Sequence, residues 1–474
     1  MSPTTASGGP QRPFTVCPQC GASYTEPRRV CERCRYWAPT ASWMASAAAN
    51  KERWRLPYVR FGFWWALALP LLFLGILAPR AYFTVFNSRL LVGGPSSELA
   101  STPGPGDWTM EGRDLSHSRF VPGVAPSLQG KVLWKVALGE PTGSAPTVAE
   151  GTVYIGGGDF KVYALDAGTG ATRWTAPTTG PVHSQPAVAG DLVYVGLLDG
   201  RVLALERATG ALRWQFQTAN PLYRSASVQE GRVYFGSGDK TLYALDAATG
   251  RRLWRFPTGG WVRSTPAVSA GLLFFTSDDQ SIYFLDARSG RQSLRFRTGR
   301  ALGTSPTLVG TTVYQVARDG RLLVLDGKAR EFPLEYQFRV AWAQMFVWGL
   351  APLPTPYSGS KWTYANVRDV EAPPATAGGV LVVGTAKGQL YGLSTSANER
   401  RWEYQAGKPI RQAPLIVGDL VLAVDEEGTV HGVDLGTGAR RFSHRLGIPV
   451  AVAPVYANGL LYLRGTDGTL SAIQ

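Results

Sequence analysis

The pattern of hydrophobic and polar positions repeats with a constant period along most of the chain. Three successive copies are APTVAEGTVYIGGGDFKVYALDAGTGATRW, QPAVAGDLVYVGLLDGRVLALERATGALRW and SASVQEGRVYFGSGDKTLYALDAATGRRLW, which end at Trp174, Trp214 and Trp254. Each copy contains four short runs rich in β-branched and aromatic residues, separated by turn residues. A period of about 40 residues with four strand-like runs per unit is typical of the blades of a β-propeller.

Eight copies can be counted from the residue that opens each one. These residues are Pro146, Pro186, Ala226, Pro266, Pro306, Pro374, Pro414 and Pro454. The eighth copy stops after three runs, at Gln474, whereas a lone run at residues 131–136 precedes the first copy. Trp134 lies one full period before Trp174, so this run belongs in the fourth position of a blade. The pattern predicts an all-β, eight-bladed propeller whose last blade is completed by an N-terminal strand.

The fourth run of each unit ends at a large apolar residue, which we expect to pack between neighbouring blades. The predicted set is Trp174, Trp214, Trp254, Leu294, Leu334, Trp402 and Phe442. The spacing between Pro306 and Pro374 exceeds the period by roughly 28 residues, so an insertion at about residues 335–370 separates the fifth and sixth copies. Its many aromatic residues leave four roles open: a plug over the channel, contact with a bilayer, a partner-docking surface, or packing against the ring.

A second pattern lies before the repeats, where residues 61–79 form an uncharged segment, FGFWWALALPLLFLGILAP. About 20 apolar residues cross a bilayer, which favours a transmembrane helix over a buried core helix. A cleaved signal peptide is disfavoured because the segment begins only at Phe61, far from the N-terminus. Residues 1–60 hold nine Lys or Arg against three Asp or Glu, net +6, with a basic cluster between Lys51 and Arg60. The positive-inside rule therefore predicts a cytoplasmic N-terminus and an extracytoplasmic ring, in the periplasm or the external medium.

The overall net charge of +14 does not alter the predicted membrane topology. The densest basic excess lies beside the apolar segment, so we attribute it to membrane orientation and expect no nucleic-acid partner.

All four cysteines lie near the N-terminus, as Cys17-Pro-Gln-Cys20 and Cys31-Glu-Arg-Cys34. Two CxxC turns supply four thiolates in a tetrahedral arrangement, which predicts a structural zinc site, since no position is left open for water. Two disulfides and a catalytic dithiol are the alternatives, and the predicted cytosolic side and the lack of a thioredoxin-like pattern disfavour them. The spacing resembles that of short bacterial zinc ribbons of the CPxCG kind.

These patterns divide the chain into six predicted parts. They are a disordered N-terminus (1–16), a zinc ribbon (17–38), a basic linker (39–60), a transmembrane helix (61–79), a linker (80–106) and the propeller (107–474).

The blade pattern AlaLeuAspAla…ThrGly…Trp resembles that of the pyrroloquinoline-quinone-like eight-bladed propellers, and residues 107–120 resemble the lead-in of such rings. The resemblance covers residues 107–474 and implies the fold. It leaves the activity open, because these rings serve as quinoprotein dehydrogenases, as BamB-type outer-membrane assembly scaffolds and as sensor domains. Such dehydrogenases need a calcium site of Glu, Asn and Asp and usually a vicinal Cys pair. Since no Cys follows Cys34, we expect neither bound pyrroloquinoline quinone nor catalysis.

Three residues before each blade-opening position, side chains are expected at the mouth of the central channel. Five of these eight positions are polar or aromatic: His183, Tyr223, Arg263, Glu371 and Arg411. Arg263 and Arg411 have the chemistry to bind carboxylates, which predicts a site for a peptide segment or a small anion. The alternative is a wet channel mouth that binds no ligand.

Together these features predict a single-pass membrane protein whose outer ring is a non-catalytic docking scaffold for protein partners, held through its loops or its funnel. An envelope sensor that couples a ligand-binding ring to the cytoplasmic ribbon is the second interpretation. A quinone-dependent dehydrogenase is the third.

Overall fold

The computed structural model describes residues 97–124, 127–140, 142–331, 335–354, 356–364 and 367–474, together with two short N-terminal strands. These strands, Phe14–Val16 and Ser23–Arg28, pair antiparallel. The predicted zinc ligands Cys17, Cys20, Cys31 and Cys34 and the predicted transmembrane segment 61–79 lie outside the described residues. Within the described part of the chain, no helix has the length and apolar character needed to cross a membrane.

The ring consists of eight sheets in the described residues, each with four antiparallel strands that run in order from the channel outwards. The predicted eight-bladed propeller is therefore confirmed. The innermost strands are Thr147–Ala149, Ala187–Ala189, Ser227–Gln229, Ala267–Ser269, Thr307–Val309, Ala375–Ala377, Leu415–Val417 and Val455–Ala457. We number the blades 1 to 8 in this order. In blade 7 a short fifth strand, Phe120–Val121, pairs parallel with the innermost one.

The other strands are given by layer. The second strands are Thr152–Gly156, Leu192–Gly196, Arg232–Gly236, Leu272–Ser277, Thr312–Val316, Val380–Gly384, Leu420–Val424 and Leu460–Arg464. The third strands are Lys161–Asp166, Arg201–Glu206, Thr241–Asp246, Ser281–Asp286, Leu322–Asp326, Gln389–Ser394, Thr429–Asp434 and Thr469–Ile473. The outer strands are Thr172–Pro177, Leu212–Gln217, Arg252–Pro257, Gln292–Arg297, Ser360–Tyr364, Arg400–Gln405, Arg440–Arg445 and, for blade 8, Val132–Ala137.

The hydrophobic core lies between the blades. Second strands such as Thr152–Gly156 are buried along their whole length, because each sheet is covered on both faces by its neighbours. Such strands carry continuous apolar runs, whereas an outer strand such as Leu212–Gln217 is mostly exposed and carries charged and polar residues.

In most blades a tryptophan of the outer strand packs against the next blade, as predicted, whereas Leu294 has this position in blade 4 and Phe442 in blade 7. The indole Nε1 of Trp174 donates to the carbonyl of Arg207 at 2.9 Å, and that of Trp214 donates to Ala247 at 2.9 Å. The indole ring covers a ThrGly turn of the following blade. A Cβ on Gly250 would lie 2.7 Å from Cδ2 of Trp214, so glycine is required there by contact as well as by its φ of +73°.

The Gly250→Ala substitution is therefore expected to destabilise the ring by about 2 kcal/mol more than Gly271→Ala. Both glycines have a left-handed φ, near +74°, so both alanines carry the same backbone strain. A Cβ on Gly271 meets nothing within 4 Å, whereas one on Gly250 displaces an indole. Urea unfolding of the two full-length variants measures the difference. Equal midpoints would show that the indole contact contributes nothing.

The seam of the ring is closed as the repeat count predicted. Val132–Ala137 pairs antiparallel with Thr469–Ile473 and completes blade 8. Trp134 contacts Tyr462 in its own blade, with ring centroids 6.0 Å apart, and its Nε1 donates to the carbonyl of Ala167 in blade 1 at 3.1 Å. The buried Arg464 also crosses the seam, donating to backbone carbonyls of blade 1.

The predicted position of Leu334 in blade 5 is wrong. The outer strand of this blade is Ser360–Tyr364, and Trp362 stands opposite Val324 as Trp174 stands opposite Ala164. The insertion therefore interrupts blade 5 between its third and fourth strands. Counting along the repeat period placed the outer strand too early, because the chain leaves the blade after Asp326. The insertion contains a helix, Glu335–Val347, and residues 334–355 belong to a different compact unit from the ring.

Candidate binding funnel

A lead-in segment, residues 99–121, lines the inner edge of the ring and bonds to every blade through its backbone. Trp108 exchanges two hydrogen bonds of 2.8 Å with Val148 of blade 1. Each further blade has at least one such contact, listed here in blade order: Thr109–Val188, Ser101–Val228, Leu115–Val268, Ser116–Leu308, Ser118–Thr376, Arg119–Ile416 and Gly106–Asn458. The innermost strands thus have their free edges covered, and the predicted domain boundary at residue 106 falls inside this segment.

The lead-in is irregular because it must turn from blade to blade. Arg113, His117 and Arg119 all have a positive φ, and a Cβ on Gly112 would lie 2.6 Å from His117 Cα. The strained residues are held by specific contacts: the buried His117 imidazole hydrogen-bonds through Nδ1 to the carbonyl of Pro306 at 2.8 Å. A strained backbone persists only where the surrounding contacts hold it in place. The lead-in is therefore an ordered, integral part of the ring.

This segment forms the floor of a funnel of about 300 Å³ in the channel. Seven of the eight predicted mouth positions line it, including His183, Tyr223, Glu371 and Arg411. Arg263 is not part of the lining. The funnel is therefore a cup that is open at the mouth and bounded by Trp108, Glu111, Gly112 and Arg119 of the lead-in.

The two arginines predicted to bind carboxylates are already engaged by groups of the ring. Arg411 donates to both carboxylate oxygens of Glu371 at 2.7 Å and forms an ion pair with Glu426. Hydrogen bonds to Glu371 and then Glu426 raise the pKa of Arg411. Arg263 lies over Trp261, 4.3 Å from the ring centroid, and pairs with Asp278 at 3.2 Å. The repeat spacing did not show these ion pairs, because Asp278, Glu426 and Glu371 lie in other loops of the ring, 15 to 40 residues from their arginines.

The floor carries a carboxylate, Glu111, which sequence reasoning missed. It accepts hydrogen bonds from the hydroxyls of Thr265 at 2.5 Å and Ser305 at 2.9 Å, and it lies 3.9 Å from the buried Arg119. Burial alone raises the pKa of Glu111, but Arg224 foremost, then His117 and Arg119, together hold it at about 2. Glu111 is therefore ionised at neutral pH and acts as an internal anion.

Arg224 is the second residue that sequence reasoning missed. It lines the funnel, and its guanidinium hydrogen-bonds to the carbonyls of Arg263 at 3.3 Å and Gly303 at 3.4 Å. The sequence did contain a clue to Arg224. The equivalent residues in the neighbouring repeats are Ser184 and Ser264, so an arginine stands where those repeats have a small residue. Three arginines and two glutamates line the funnel, a formal charge of +1. Burial, and then Arg464, lower the pKa of His183, which leaves that imidazole neutral.

The funnel residues do not fit a calcium–quinone centre. Calcium takes six to eight oxygen ligands, whereas the carboxylates of the lining are Glu111, tied to two hydroxyls, and Glu371, tied to Arg411. Among the described residues, no three His, Cys, Asp or Glu side chains come together as a metal site would require. We therefore derive no reaction step through a bound quinone.

A larger groove of about 610 Å³ lies on the ring beside blades 1 and 2. Its charged residues satisfy one another: Arg207 pairs with Glu150 at 2.9 Å, and Arg213 pairs with Glu206 at 3.5 Å. The groove therefore offers less unbalanced charge to a ligand than the funnel.

Comparison with known proteins gives both a family and a fold. The family described as outer membrane protein assembly factor BamB matches residues 123–227, 199–331 and 347–474. A comparison with curated proteins found no match.

Three solved structures illustrate the fold. BamB from Moraxella catarrhalis is 17% identical with a TM-score of 0.55, over 73% of this chain and 97% of that one. Quinohemoprotein alcohol dehydrogenase from Comamonas testosteroni is 17% identical with a TM-score of 0.61, over 78% and 81%. The computationally designed Ika8 protein is 16% identical with a TM-score of 0.55, over 73% and 98%. At such identities the likeness concerns the fold, which proteins of different function share.

Proposed function

Because the chain belongs to the family described as outer membrane protein assembly factor BamB, we propose that it is a non-catalytic docking scaffold that holds a protein partner at its funnel. The observation that carries this proposal is the cup, with Arg224 in its wall and the lead-in across its floor. A cup with a net positive lining that is open at the mouth suits an acidic side chain or a chain terminus.

The contacts around the cup favour docking over chemistry. Glu111, Glu371 and Arg411 are held by partners within the ring, so they are poor candidates for a general base or a nucleophile. Arg224 hydrogen-bonds to neutral carbonyls and its charge also attracts Glu111, so an incoming carboxylate shares this guanidinium with Glu111 and gains a charge-assisted contact.

The same proposal places the ring outside the cytoplasm. In this proposal residues 61–79 cross the membrane once as a helix, and the basic residues before them keep the N-terminus in the cytoplasm. The scaffold is thereby tethered to the membrane.

We also propose that Cys17, Cys20, Cys31 and Cys34 bind one structural zinc on the cytoplasmic side. The reduced full-length protein is expected to contain one zinc per chain by metal analysis. A quadruple Cys→Ser variant that retains the same zinc content would contradict this assignment.

Site-specific photo-crosslinking in cells tests the docking role. A photoreactive amino acid at position 223 of the full chain is expected to give a discrete protein adduct. Arg224→Gln is expected to reduce that adduct about tenfold or more, because losing a charge-assisted hydrogen bond costs about 1.5–3 kcal/mol. The control is Arg213→Gln, an exposed arginine outside the funnel, which leaves the adduct unchanged. No protein adduct at position 223, or equal loss in both variants, would contradict docking at the funnel.

A second experiment distinguishes a scaffold from a dehydrogenase. Titration of the purified full-length protein with pyrroloquinoline quinone and calcium is expected to give no saturable change in quinone fluorescence. Stoichiometric binding with reduction of an electron-accepting dye in the presence of alcohols would overturn the non-catalytic proposal.

A further inference from the structure

The insertion in blade 5 contains a long stretch without charge. From Val340 to Ser360 there is no Lys, Arg, Asp or Glu, and the sequence VAWAQMFVWGLAPLP at residues 340–354 contains one polar side chain, Gln344. The helix Glu335–Val347 provides the first part of this stretch, and the chain folds back after it. The residues added to the repeat period are thus concentrated in an apolar hairpin.

Its apolar side chains are exposed in the structure. Large hydrophobic residues with 39–71% of their surface accessible are Val340, Met345, Phe346, Val347, Trp348, Leu350 and Leu353. A helix on the surface of a soluble ring normally has a polar face, and a helix that is apolar all round is normally buried in protein or lipid. A contiguous patch of this kind marks an interaction surface.

The backbone at the end of this hairpin is satisfied internally. The Leu350 N–H donates to Met345 at 2.8 Å and the Gly349 N–H donates to Phe346 at 2.9 Å, which together close the helix in a Schellman turn. Gly349 has the positive φ of +71° that this turn requires. The indole Nε1 of Trp342 donates to the carbonyl of Pro352 at 2.9 Å, so the polar atom of this large side chain is satisfied as well.

The returning chain has few backbone donors. Prolines occupy positions 352, 354 and 356, and a proline has no N–H group. In hydrocarbon every unpaired backbone donor costs several kcal/mol, whereas in water it costs nothing. The hairpin therefore has an apolar side-chain surface, a turn whose N–H groups are hydrogen-bonded within the segment, and a returning chain with few N–H groups. These three properties suit it to contact with lipid.

We propose that residues 340–354 insert into the outer leaflet of the lipid bilayer and form a second membrane contact of the ring. The helix has 13 residues, about 20 Å, which is shorter than the roughly 30 Å hydrocarbon core, so the hairpin enters one leaflet and does not span. A protein interface typically carries about ten direct hydrogen bonds, for which this hairpin offers few polar side chains, whereas a lipid surface needs none. This inference rests on the topology proposed above, in which residues 61–79 anchor the same chain in the bilayer.

The experiment uses the full chain, reconstituted into phosphatidylcholine vesicles, with a protease site inserted between Gly93 and Gly94. After cleavage the ring is expected to float with the vesicles. The variant Phe346→Ser/Trp348→Ser/Leu350→Ser is expected to release at least ten times more ring into the soluble fraction. The control Phe346→Leu/Trp348→Leu/Leu350→Ile preserves the apolar surface and is expected to remain bound. Complete release of the parent ring, or retention of the serine variant, would overturn the proposal.

A second measurement keeps the proposal testable if the serine variant folds poorly. A photoreactive amino acid at position 348 in the reconstituted full chain is expected to label phosphatidylcholine. The same amino acid at position 212, an exposed apolar site on the outer strand of blade 2, is expected to label none. Adducts with protein alone at position 348 would assign the hairpin to a protein partner and refute membrane insertion.

Discussion

Replacing Trp134 by alanine is expected to lower the free energy of unfolding of the ring by about 3–5 kcal/mol. The side chain is buried at the seam, where its ring contacts Tyr462 and its indole nitrogen donates to Ala167 of blade 1. The substitution therefore leaves a cavity at the junction that joins the two ends of the repeat array, and the Ala167 carbonyl keeps only the longer hydrogen bond from the Tyr462 hydroxyl, at 3.3 Å. Opening there exposes strand edges on both sides of the gap, so the loss is not compensated by neighbouring blades.

The matched control is Leu133→Ala, one residue earlier on the same strand. Leu133 is exposed, so its truncation is expected to cost less than about 1 kcal/mol. Urea unfolding of the full-length protein, followed by circular dichroism, measures both variants without relying on tryptophan emission. Similar midpoints for the two variants would mean that the seam contributes no more than any other surface strand.

Glu111→Gln is expected to lower stability by roughly 3 kcal/mol at pH 7, and this difference is expected to vanish in acid. The pKa of Glu111 falls from 4.5 to about 2 on folding, because its neighbouring cations outweigh the effect of burial. A carboxylate whose pKa is lowered on folding stabilises the protein above its unfolded-state pKa. This contribution is lost as the pH falls from about 4.5 towards 2. The glutamine variant lacks it at every pH and leaves the charge of the buried Arg119 unbalanced.

Stability measured in urea between pH 7 and pH 3 tests this expectation. The parent protein should lose stability over that range, whereas Glu111→Gln should show a flatter profile. Glu371→Gln serves as control, because Glu371 is nearly half exposed in its pair with Arg411 and solvent screens the interaction. Parallel profiles for the parent and Glu111→Gln would show that Glu111 is not coupled to folding.

The repeating parts of the fold could be predicted from the sequence because each blade is encoded locally. Turn residues and a tryptophan recur at fixed spacing, so the blade count and the closing role of Trp134 followed from simple counting. The same counting misplaced the outer strand of blade 5. A periodic argument assumes that nothing interrupts a unit, and the insertion lies between two strands of one sheet.

The funnel was less predictable, because its properties come from contacts distant in the sequence. Of the residues expected at the mouth, His183 and Tyr223 line the funnel, since the start of each inner strand faces the channel. The neutralisation of Arg411 by Glu371 and Glu426 depends on three separate turns. Residues 107–120 resemble the lead-in of such rings, but the segment follows no period and contains non-glycine residues with positive φ, so its path around all eight blades could not be predicted.

The pairing at the seam also determines when the ring can close during protein synthesis. Ala137 pairs with Thr469, which is synthesised only after all the intervening blades. At roughly 5–20 residues per second, the first strand waits on the order of half a minute for its partner. During that time the growing array has an unpaired edge at each end, and pairing across such a separation is slow. Synthesis of Thr469–Ile473 is therefore the step that allows the ring to close, and a nascent chain that lacks this strand has an incomplete last blade.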